Sequence, residues 1–459
     1  MIHRSLVVFF LFFGGLLSAQ TTLLDQYIST ALESNIALRQ QELSYAKSLA
    51  TLKEAKALFF PTLSLEARYS RATGGRVIEI PVGDLMNPVY ANLNLLNSIG
   101  AATSPDYPNI PEYPVIENSQ ENFLRSEEHE TKLRLIQPVF NAAILQNHQI
   151  RKDLNEAERI SVDIYKRSLV QEVKEGYFKY MQAVEAEKLY LETLALVEEN
   201  LRTTESLFKY HKVTKDAVYG AEAQVKEVEQ ELAELQASKY LAQAYFNFLL
   251  NRPTEAEIEQ TDLELPVVPE GLEAMRLNAQ AQREELAQLN AYMLAANDKV
   301  NLQKGNYLPT VNLVGDYGFQ GTEYSFTSED DFAMGSLVLS WKLFDHSTSA
   351  KVQQARIEQD QLQQKKLEVE RQLDLQVIQA YYELDAARKR IDLAAAQERA
   401  AQEAFKLVRK QYDQGQTNLV SFTDARTRLT NAQQQAIIAN YDYLIRHAKL
   451  ERATATYNF

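Results

Sequence analysis

Two long stretches of the chain contain almost none of the residues that interrupt helices. From Val139 to Asn251 there is no proline and only two glycines, and after Trp341 there is no proline and one glycine, Gly415. Proline and glycine are the residues least compatible with a helix interior, so both stretches are predicted to be helical. The predicted helices are 141–210, 215–250, 345–413 and 419–453. A helix of about 70 residues is roughly 105 Å long, so these helices do not form a compact globule and need neighbours.

The third of these helices carries a narrow apolar seam. Its apolar residues step by 4, 4, 3 and 7 positions, at Leu373, Val377, Tyr381, Leu384 and Ile391. This is the spacing of a coiled coil. We therefore predict a mainly α protein with long antiparallel coiled-coil helices.

The chain is also two copies of one unit. Pairing Pro61 with Pro309 gives an offset of 248 residues, and pairing Phe140 with Phe344 gives an offset of 204. The first copy therefore carries about 44 extra residues between its strands. Each copy reads helix, strand, loop, strand, very long helix, turn and helix. The first repeat is 21–270 and the second is 271–459, and their first helical parts are roughly 23–58 and 271–306.

Each copy contains two segments with strand patterning. Apolar and polar residues alternate over 63–70 and 311–320, which is typical of strands with one apolar face. Pro61 and Pro309 stand at the helix-to-strand junctions, since the residue before a proline avoids the helical conformation. The predicted strands are about 61–71, 128–139, 309–320 and 332–344.

Three further segments lie outside this helix-and-strand pattern. Residues 1–20 read as a cleaved signal peptide; the alternative, an uncleaved membrane anchor, needs a longer apolar run of ~20 residues. Residues 72–125 hold six of the twelve prolines and are predicted to be a surface loop, in which "SPDYPNIPEYP" at 104–114 has irregular or extended backbone. Residues 251–270 link the two copies.

Four strands with one apolar face are not stable alone in water or in lipid. Backbone groups within a bilayer must all be paired, so lipid-facing strands have to close into a barrel. Four strands are too few for a lumen, whereas three chains would supply twelve. The rival hypothesis is a periplasmic coiled-coil scaffold or adhesin stalk without a pore. It accounts for the helices but leaves the strands as exposed apolar edges.

Composition and motifs give no support to enzyme chemistry. The net charge of −14 argues against nucleic acid as a partner, and there is no cysteine. The six histidines include no pair at metal-ligand spacing, and no phosphate loop or hydrolase motif occurs. We predict no catalytic residue, no metal site, no cofactor and no enzymatic activity.

The repeated helix-proline-strand junctions, together with "YDQGQTNLVSFTDARTRL" at 412–429, resemble the TolC-type outer-membrane factors (outer-membrane efflux proteins) over essentially the whole mature chain. The resemblance implies a homotrimer with a 12-stranded β-barrel surrounded by outer-membrane lipid and a hollow periplasmic cylinder of helices. It implies a periplasmic adaptor and an inner-membrane pump as partners in a tripartite efflux or type I secretion system. The chain is then a passive exit duct for drugs, metals or proteins. The loops 72–125 and 321–331 face outside.

The resemblance also implies that the two hairpin tips, 209–218 and 413–422, contact the adaptor. The candidate contacts are Val213, Thr214, Lys215, Gly415, Thr417, Asn418 and Leu419. Gly415 also reads as a left-handed helix C-cap. In the first tip His211 stands where the family usually has glycine, which leaves the tightness of that turn open.

Four residues are candidates for a luminal gate: Asp424, Ser421, Tyr412 and Asp216. Asp424 matches a luminal carboxylate of the family, which threefold symmetry makes into a ring of three. The alternative is that Ser421 and Asp424 form a capping box that opens the return helix. Tyr412 matches a tyrosine that latches the closed tip in the family. Its usual partners are replaced here, so the tip is expected to close less firmly or in a different way that uses Asp216 or Lys215.

The single tryptophan, Trp341, follows the last predicted strand. Tryptophan is enriched at membrane interfaces, so Trp341 is predicted to be an interface anchor. Packing at the strand end is the alternative.

Overall fold

A computed structural model describes residues 22–261, 264–267 and 271–457. The signal peptide predicted at 1–20 and parts of the predicted linker 251–270 lie outside these residues. The chain divides into two compact units, one made of Glu54–Asn147 with Asn301–Ala350 and the other of the remaining parts. None of the described helices combines the length and the apolar character that crossing a membrane requires.

In chain order the elements are α1 (Leu23–Ser34), α2 (Ile36–Ala57), β1 (Thr62–Arg71), β2 (Val77–Ile80), α3 (Val82–Thr103), β3 (Ser119–Asn122), β4 (Glu127–Phe140), α4 (Ala142–Lys209), α5 (Lys215–Leu249), α6 (Leu272–Gln282), α7 (Glu284–Gly305), β5 (Thr310–Gly321), β6 (Asp331–Ser340), α8 (His346–Asp413) and α9 (Leu419–Thr454). The predicted fold class, mainly α with a small β part and internally duplicated, is confirmed. The longest helices, α4 and α8, contain 68 residues each, or about 100 Å of rise.

The helical parts predicted as single helices over 23–58 and 271–306 are each two helices. Asn35 and Arg283 stand at the breaks, with extended ψ angles of 124° and 121°. Their N–H groups donate to the carbonyls of Ala31 and Ala279 at 2.9 and 3.0 Å. Both pairs are related by the offset of 248, so the break belongs to the repeated unit.

The two breaks are held by contacts with the ends of the return helices. Asn35 Nδ2 donates to the carbonyl of Leu249 at 2.9 Å, and Arg283 Nη1 donates to the carbonyl of Ala453 at 3.0 Å. Asn35 Oδ1 also accepts the N–H of Leu38 at 2.9 Å and so caps α2. Because these contacts are tertiary, helical periodicity alone does not reveal them.

An aromatic cluster fixes α1 against α4 and α5. The ring of Tyr27 lies 5.1 Å from that of Phe246, and Tyr177 lies 5.7 Å from Phe246. All three residues are buried, and burial raises the pKa of Tyr177 to about 12. The hydroxyl of Tyr177 donates to the carbonyl of Glu259 at 3.1 Å, so the cluster also holds the described part of the linker.

The four long strands form one antiparallel sheet in the order β1-β4-β5-β6. On one face Leu65, Leu133 and Tyr317 lie side by side in register. On the other face Arg134 donates two hydrogen bonds to the carboxylate of Asp316, at 2.8 and 2.9 Å. The sheet therefore has one apolar face and one face with ion pairs, as the alternating sequence predicts.

The prediction of irregular or extended backbone holds for 104–114, but the prediction that 72–125 is only a loop is wrong. This segment contains the helix α3 and the antiparallel pair of β2 and β3. Pro81 is the N-cap of α3 and Pro88 lies inside the helix, while the other prolines of the segment follow it. The proline count of the whole segment therefore conceals a proline-free stretch, Val89–Gly100, which is rich in leucine and asparagine and forms most of the helix.

Candidate functional site at the hairpin tips

The two hairpin tips have the same backbone geometry. Gly415 has φ +70° and His211 has φ +57°, which is the left-handed conformation of a helix C-terminus. Gly415 N–H donates to the carbonyl of Tyr412 at 2.9 Å, and Gln416 N–H donates to that of Gln411 at 2.8 Å. The first tip repeats these bonds at 2.9 Å each. The N–H of His211 donates to the carbonyl of Phe208, and the N–H of Lys212 donates to the carbonyl of Leu207.

Histidine therefore does not loosen the first turn, since its hydrogen bonds match those at Gly415. It adopts a conformation that disfavours side chains with a Cβ by roughly 1–2 kcal/mol. Tightness is set by the hydrogen bonds that end the helix rather than by the residue type.

The return helix α9 begins at an asparagine cap. Asn418 Oδ1 accepts the N–H of Ser421 at 2.9 Å. The alternative reading of Ser421 and Asp424 as a capping box is wrong, because Asn418 already occupies the N-cap position and the helix begins at Leu419. Thr214 is the N-cap of α5, but its side chain makes no capping bond.

The candidate adaptor contacts differ in exposure. Four of these residues are exposed: Thr214, Lys215, Gly415 and Asn418. The other three are half-buried: Val213, Thr417 and Leu419. Leu419 packs against α5, since a methyl group on Gly220 would lie 3.4 Å from Leu419 Cδ2. Lys215 Nζ lies 5.3 Å from the centroid of the Tyr219 ring. Leu419 thus joins the two tips, while the exposed residues form the free end.

Tyr412 is held inside the tip. Its ring lies 4.8 Å from that of Phe422, which lies 5.5 Å from Phe405. Its hydroxyl is 3.3 Å from Thr204 Oγ1 on α4. Tyr412 therefore bridges the second hairpin to the first.

Asp424 lies in an open groove between α8 and α9. Its carboxylate pairs with Arg428 Nη2 at 3.0 Å, and both side chains are exposed. The groove holds about 760 Å³ and is lined on the α8 side by Gln397, Ala400, Ala401, Ala404 and Val408. Ser421 lines it as well. Asp216 is exposed and makes no ion pair with any residue in the described part of the chain.

A row of buried and half-buried polar residues joins the two hairpins above the tips, and the sequence alone did not predict it. Thr193 on α4 lies 3.5 Å from Thr430 on α9, and Gln224 on α5 donates to Thr423 on α9. Arg426 is buried between them. Its Nη2 donates to Thr427 Oγ1 at 3.0 Å, but its Nε has no partner among the described residues.

Burial lowers the pKa of Arg426, although Glu227 partly offsets this effect. The signal in the sequence was the pair Thr423 and Arg426, which stand one helical turn apart on α9. We call Thr193, Gln224, Thr423, Arg426 and Thr430 the polar seam.

The helix-to-strand junctions repeat as closely as the tips. The N–H of Phe60 donates to the carbonyl of Ala57 at 3.0 Å, and the N–H of Leu308 donates to the carbonyl of Gly305 at 3.0 Å. Pro61 directly follows Phe60, and Pro309 directly follows Leu308. Trp341 lies one residue beyond β6, exposed, and its Nε1 donates to the carbonyl of Tyr307 at 3.0 Å. Interface anchoring stays a prediction for Trp341, and this hydrogen bond also accounts for packing at the strand end.

Comparison with known proteins identifies relatives for both sequence and fold. Residues 277–456 match the family model described as Outer membrane efflux protein. Over 361 residues the chain is 22% identical to the outer membrane protein TolC of Salmonella enteritidis, covering 73% of this chain and 71% of that protein.

Two solved channels share the fold. The CmeC outer membrane channel of Campylobacter jejuni superimposes with a TM-score of 0.76 at 16% identity, over 94% of this chain and 85% of that one. The open state of the Neisseria gonorrhoeae MtrE outer membrane channel gives 0.72 at 19% identity, over 94% and 88%. The predicted resemblance and the outer-membrane localisation with a periplasmic extension are confirmed. Proteins of this family are channels and not enzymes.

Proposed function

We propose that this chain, a TolC-like outer membrane efflux protein, forms a passive homotrimeric exit duct. Channels of the family are trimeric and work with adaptor and inner-membrane pump partners. In this chain the duct carries small molecules or proteins out of the cell as part of a tripartite efflux or type I secretion system. The energy comes from the pump, since members of the family are channels and not enzymes.

The observation that carries this proposal is the four-stranded sheet. Its outer strands, β1 and β6, each pair on one side only within the described chain. Unpaired strand edges are not tolerated in lipid and promote aggregation in water. Pairing β6 of one copy with β1 of the next closes both edges, and three copies make twelve strands.

The two faces of the sheet fit this arrangement. Leu63, Leu65 and Leu337 are exposed on the apolar face, which lipid would cover. Arg134 with Glu66, at 3.2 Å, and Arg68 with Glu130, at 3.3 Å, are ion pairs on the polar face, which would line a watery lumen.

The tips then serve two roles. The exposed residues Lys215, Gly415 and Asn418 are the proposed adaptor contacts. Asp424 is the proposed luminal carboxylate. In a trimer it forms a ring of three, and the ion pair with Arg428 partly neutralises the negative charge of that ring. Pro61 and Pro309 mark where the periplasmic helices give way to the membrane strands.

The test is electron microscopy of the mature full-length protein, purified in detergent from outer membranes, with single-channel recording on the same sample. We expect threefold particles with a helical stem of about 100 Å and discrete conductance steps. Solid rods without a lumen, together with extraction in the absence of detergent, would replace the duct with the scaffold.

A further inference from the structure

Helix α3, in the segment 72–125, has one face covered by the chain that follows it. Asn87 exchanges two hydrogen bonds with the backbone of Ile116, both 2.9 Å. Asn94 exchanges two with the backbone of Tyr113, at 3.0 and 2.9 Å. Asn87 and Asn94 are seven residues apart and so lie on the same side of the helix. We call residues 104–118 the strap.

Glycine allows the strap to lie close to this side. A methyl group on Gly83 would lie 2.4 Å from the carbonyl oxygen of Ile116, and one on Gly100 would lie 2.4 Å from the ring of Tyr107. The covered face therefore consists of glycine and asparagine residues together with Tyr90, whose ring stacks on that of Tyr113 at 5.1 Å.

The opposite face of α3 is apolar and has no partner in the described chain. Four residues on it are exposed: Leu85 by 70%, Val89 by 48%, Leu96 by 61% and Ile99 by 51%. Together with the exposed Asn92 they step by 4, 3, 4 and 3 positions, which is the heptad spacing of a helix that packs against other helices. We call these five residues the α3 seam.

The charges of the segment argue against a lipid surface as the partner. Residues 77–124 contain six acidic residues and no lysine, arginine or histidine. Helices that lie on membranes carry basic residues on their polar face, because lipid phosphates are anionic. The seam itself is uncharged, as the cores of protein interfaces are. An equivalent uncharged helix face is therefore a better match than a phosphate surface.

We infer that the α3 seams of three copies pack together and form a helical cap at the external mouth of the duct. The segment joins the ends of β1 and β4 that lie opposite the helix junctions, so it emerges at the external end of the sheet. Threefold symmetry then presents three identical seams to one another. Asn92 sets the register, as a polar residue in an apolar seam does. This inference rests on the proposed function, because the three seams meet only in a trimer.

Single cysteines test the cap directly, since the chain contains none of its own. The variants are Leu96→Cys on the seam and Ser98→Cys, which is exposed on the other side of the same helix. Each full-length variant is purified in detergent, its mass is measured by light scattering, and it is oxidised briefly. We expect disulfide-linked dimers for Leu96→Cys, limited to about two thirds of the chains because one thiol of three is left over. Ser98→Cys should give at least fivefold less disulfide-linked dimer than Leu96→Cys.

The readouts separate the cap from the duct. A trimeric mass without Leu96→Cys dimers, or with equal dimers from Ser98→Cys, overturns the cap and leaves the duct standing. A monomeric mass refutes both. A second variant carries a photoreactive benzophenone side chain at position 96. An adduct with another copy of the chain supports the cap, whereas an adduct with lipopolysaccharide or with a different protein overturns it.

Discussion

At the scale of single residues, the left-handed positions show how closely the two copies agree. Besides His211 and Gly415, Asn251 and Ala455 have positive φ, 52° and 56°. These two residues end the return helices and are related by the offset of 204. Only one of the four positions carries glycine. The backbone conformation therefore follows from how each helix ends, and the side chain tolerates it.

This reading predicts opposite effects of two substitutions. Gly415→Ala should reduce the local stability of the second tip by about 1 kcal/mol, because it adds a Cβ to a left-handed residue. His211→Gly should stabilise the first tip by about 0.5 kcal/mol, since glycine's larger unfolded-state entropy offsets part of the gain. Amide hydrogen exchange of the tip residues measures both. As a control, Lys212→Gly should not increase protection, since φ of Lys212 is not positive.

Arg426 yields a second prediction at this scale. It is buried with an unpartnered Nε, and replacing a buried charge by an apolar residue of similar volume is often neutral or stabilising. Arg426→Met should therefore raise the free energy of unfolding by about 1 kcal/mol, measured by denaturant titration. The matched control is Arg428→Met, two residues away and exposed, with an expected change below about 0.5 kcal/mol. A loss of stability in Arg426→Met would mean that this arginine is well paired.

At the scale of elements, local patterns in the sequence predict the long helices and the strands well. The absence of proline predicts the helical stretches that contain α4 and α8, and the alternation of apolar residues identifies β1 and β5. The breaks at Asn35 and Arg283 escape such reasoning because they depend on carbonyls more than 160 residues away, at Leu249 and Ala453. Helix α3 was missed for a different reason, since proline content was averaged over the whole insert.

The second break carries an ion-pair group with a measurable pH dependence. Burial alone would raise the pKa of Glu285. The hydrogen bonds and charges of Arg283 and Arg452 outweigh burial and lower it to about 2, from 4.5. Because the folded-state pKa is the lower one, this pairing stabilises the fold above pH 4.5, and the stabilisation is lost as pH falls toward 2.

Glu285→Gln should therefore lower the free energy of unfolding at pH 7 by about 2 kcal/mol, after allowance for partial solvent exposure. The variant should also show a weaker dependence of stability on pH between 4.5 and 2. Denaturant titrations at several pH values measure both effects. Glu403→Gln, an exposed site on α8, serves as the control and should leave the pH profile unchanged.

At the scale of the whole molecule, the site residues gain a role only through assembly. The tip turns, the groove and the sheet edges are present in one chain. Whether Asp424 faces a lumen depends on the positions of the other copies, which sequence patterns and a single chain do not supply. The adaptor contacts and the gate therefore remain predictions, although the turns that carry them are described in atomic detail.

The gate prediction is tested by ion selectivity. In a trimer Asp424→Asn should reduce the preference for cations, and Arg428→Gln should increase it by releasing the paired carboxylate. Reversal potentials in a salt gradient measure both, and the shifts should shrink at high salt because exposed charges are screened. If neither variant changes the reversal potential, Asp424 does not lie on the ion path.

The contacts between the two hairpins constrain how the stem formed by the four long helices can become longer or shorter. Thr193 meets Thr430, Thr204 meets Tyr412, and Gln224 meets Thr423, so the four long helices are locked to one another near the tips. Seven residues inserted into α4 alone, before Thr193, would displace its contacts by about 10 Å and separate Thr193 from Thr430 and Thr204 from Tyr412. A longer or shorter stem thus requires matched insertions or deletions in α4, α5, α8 and α9 together. Evolution and protein engineering can therefore lengthen this stem only by changing all four long helices by the same number of residues.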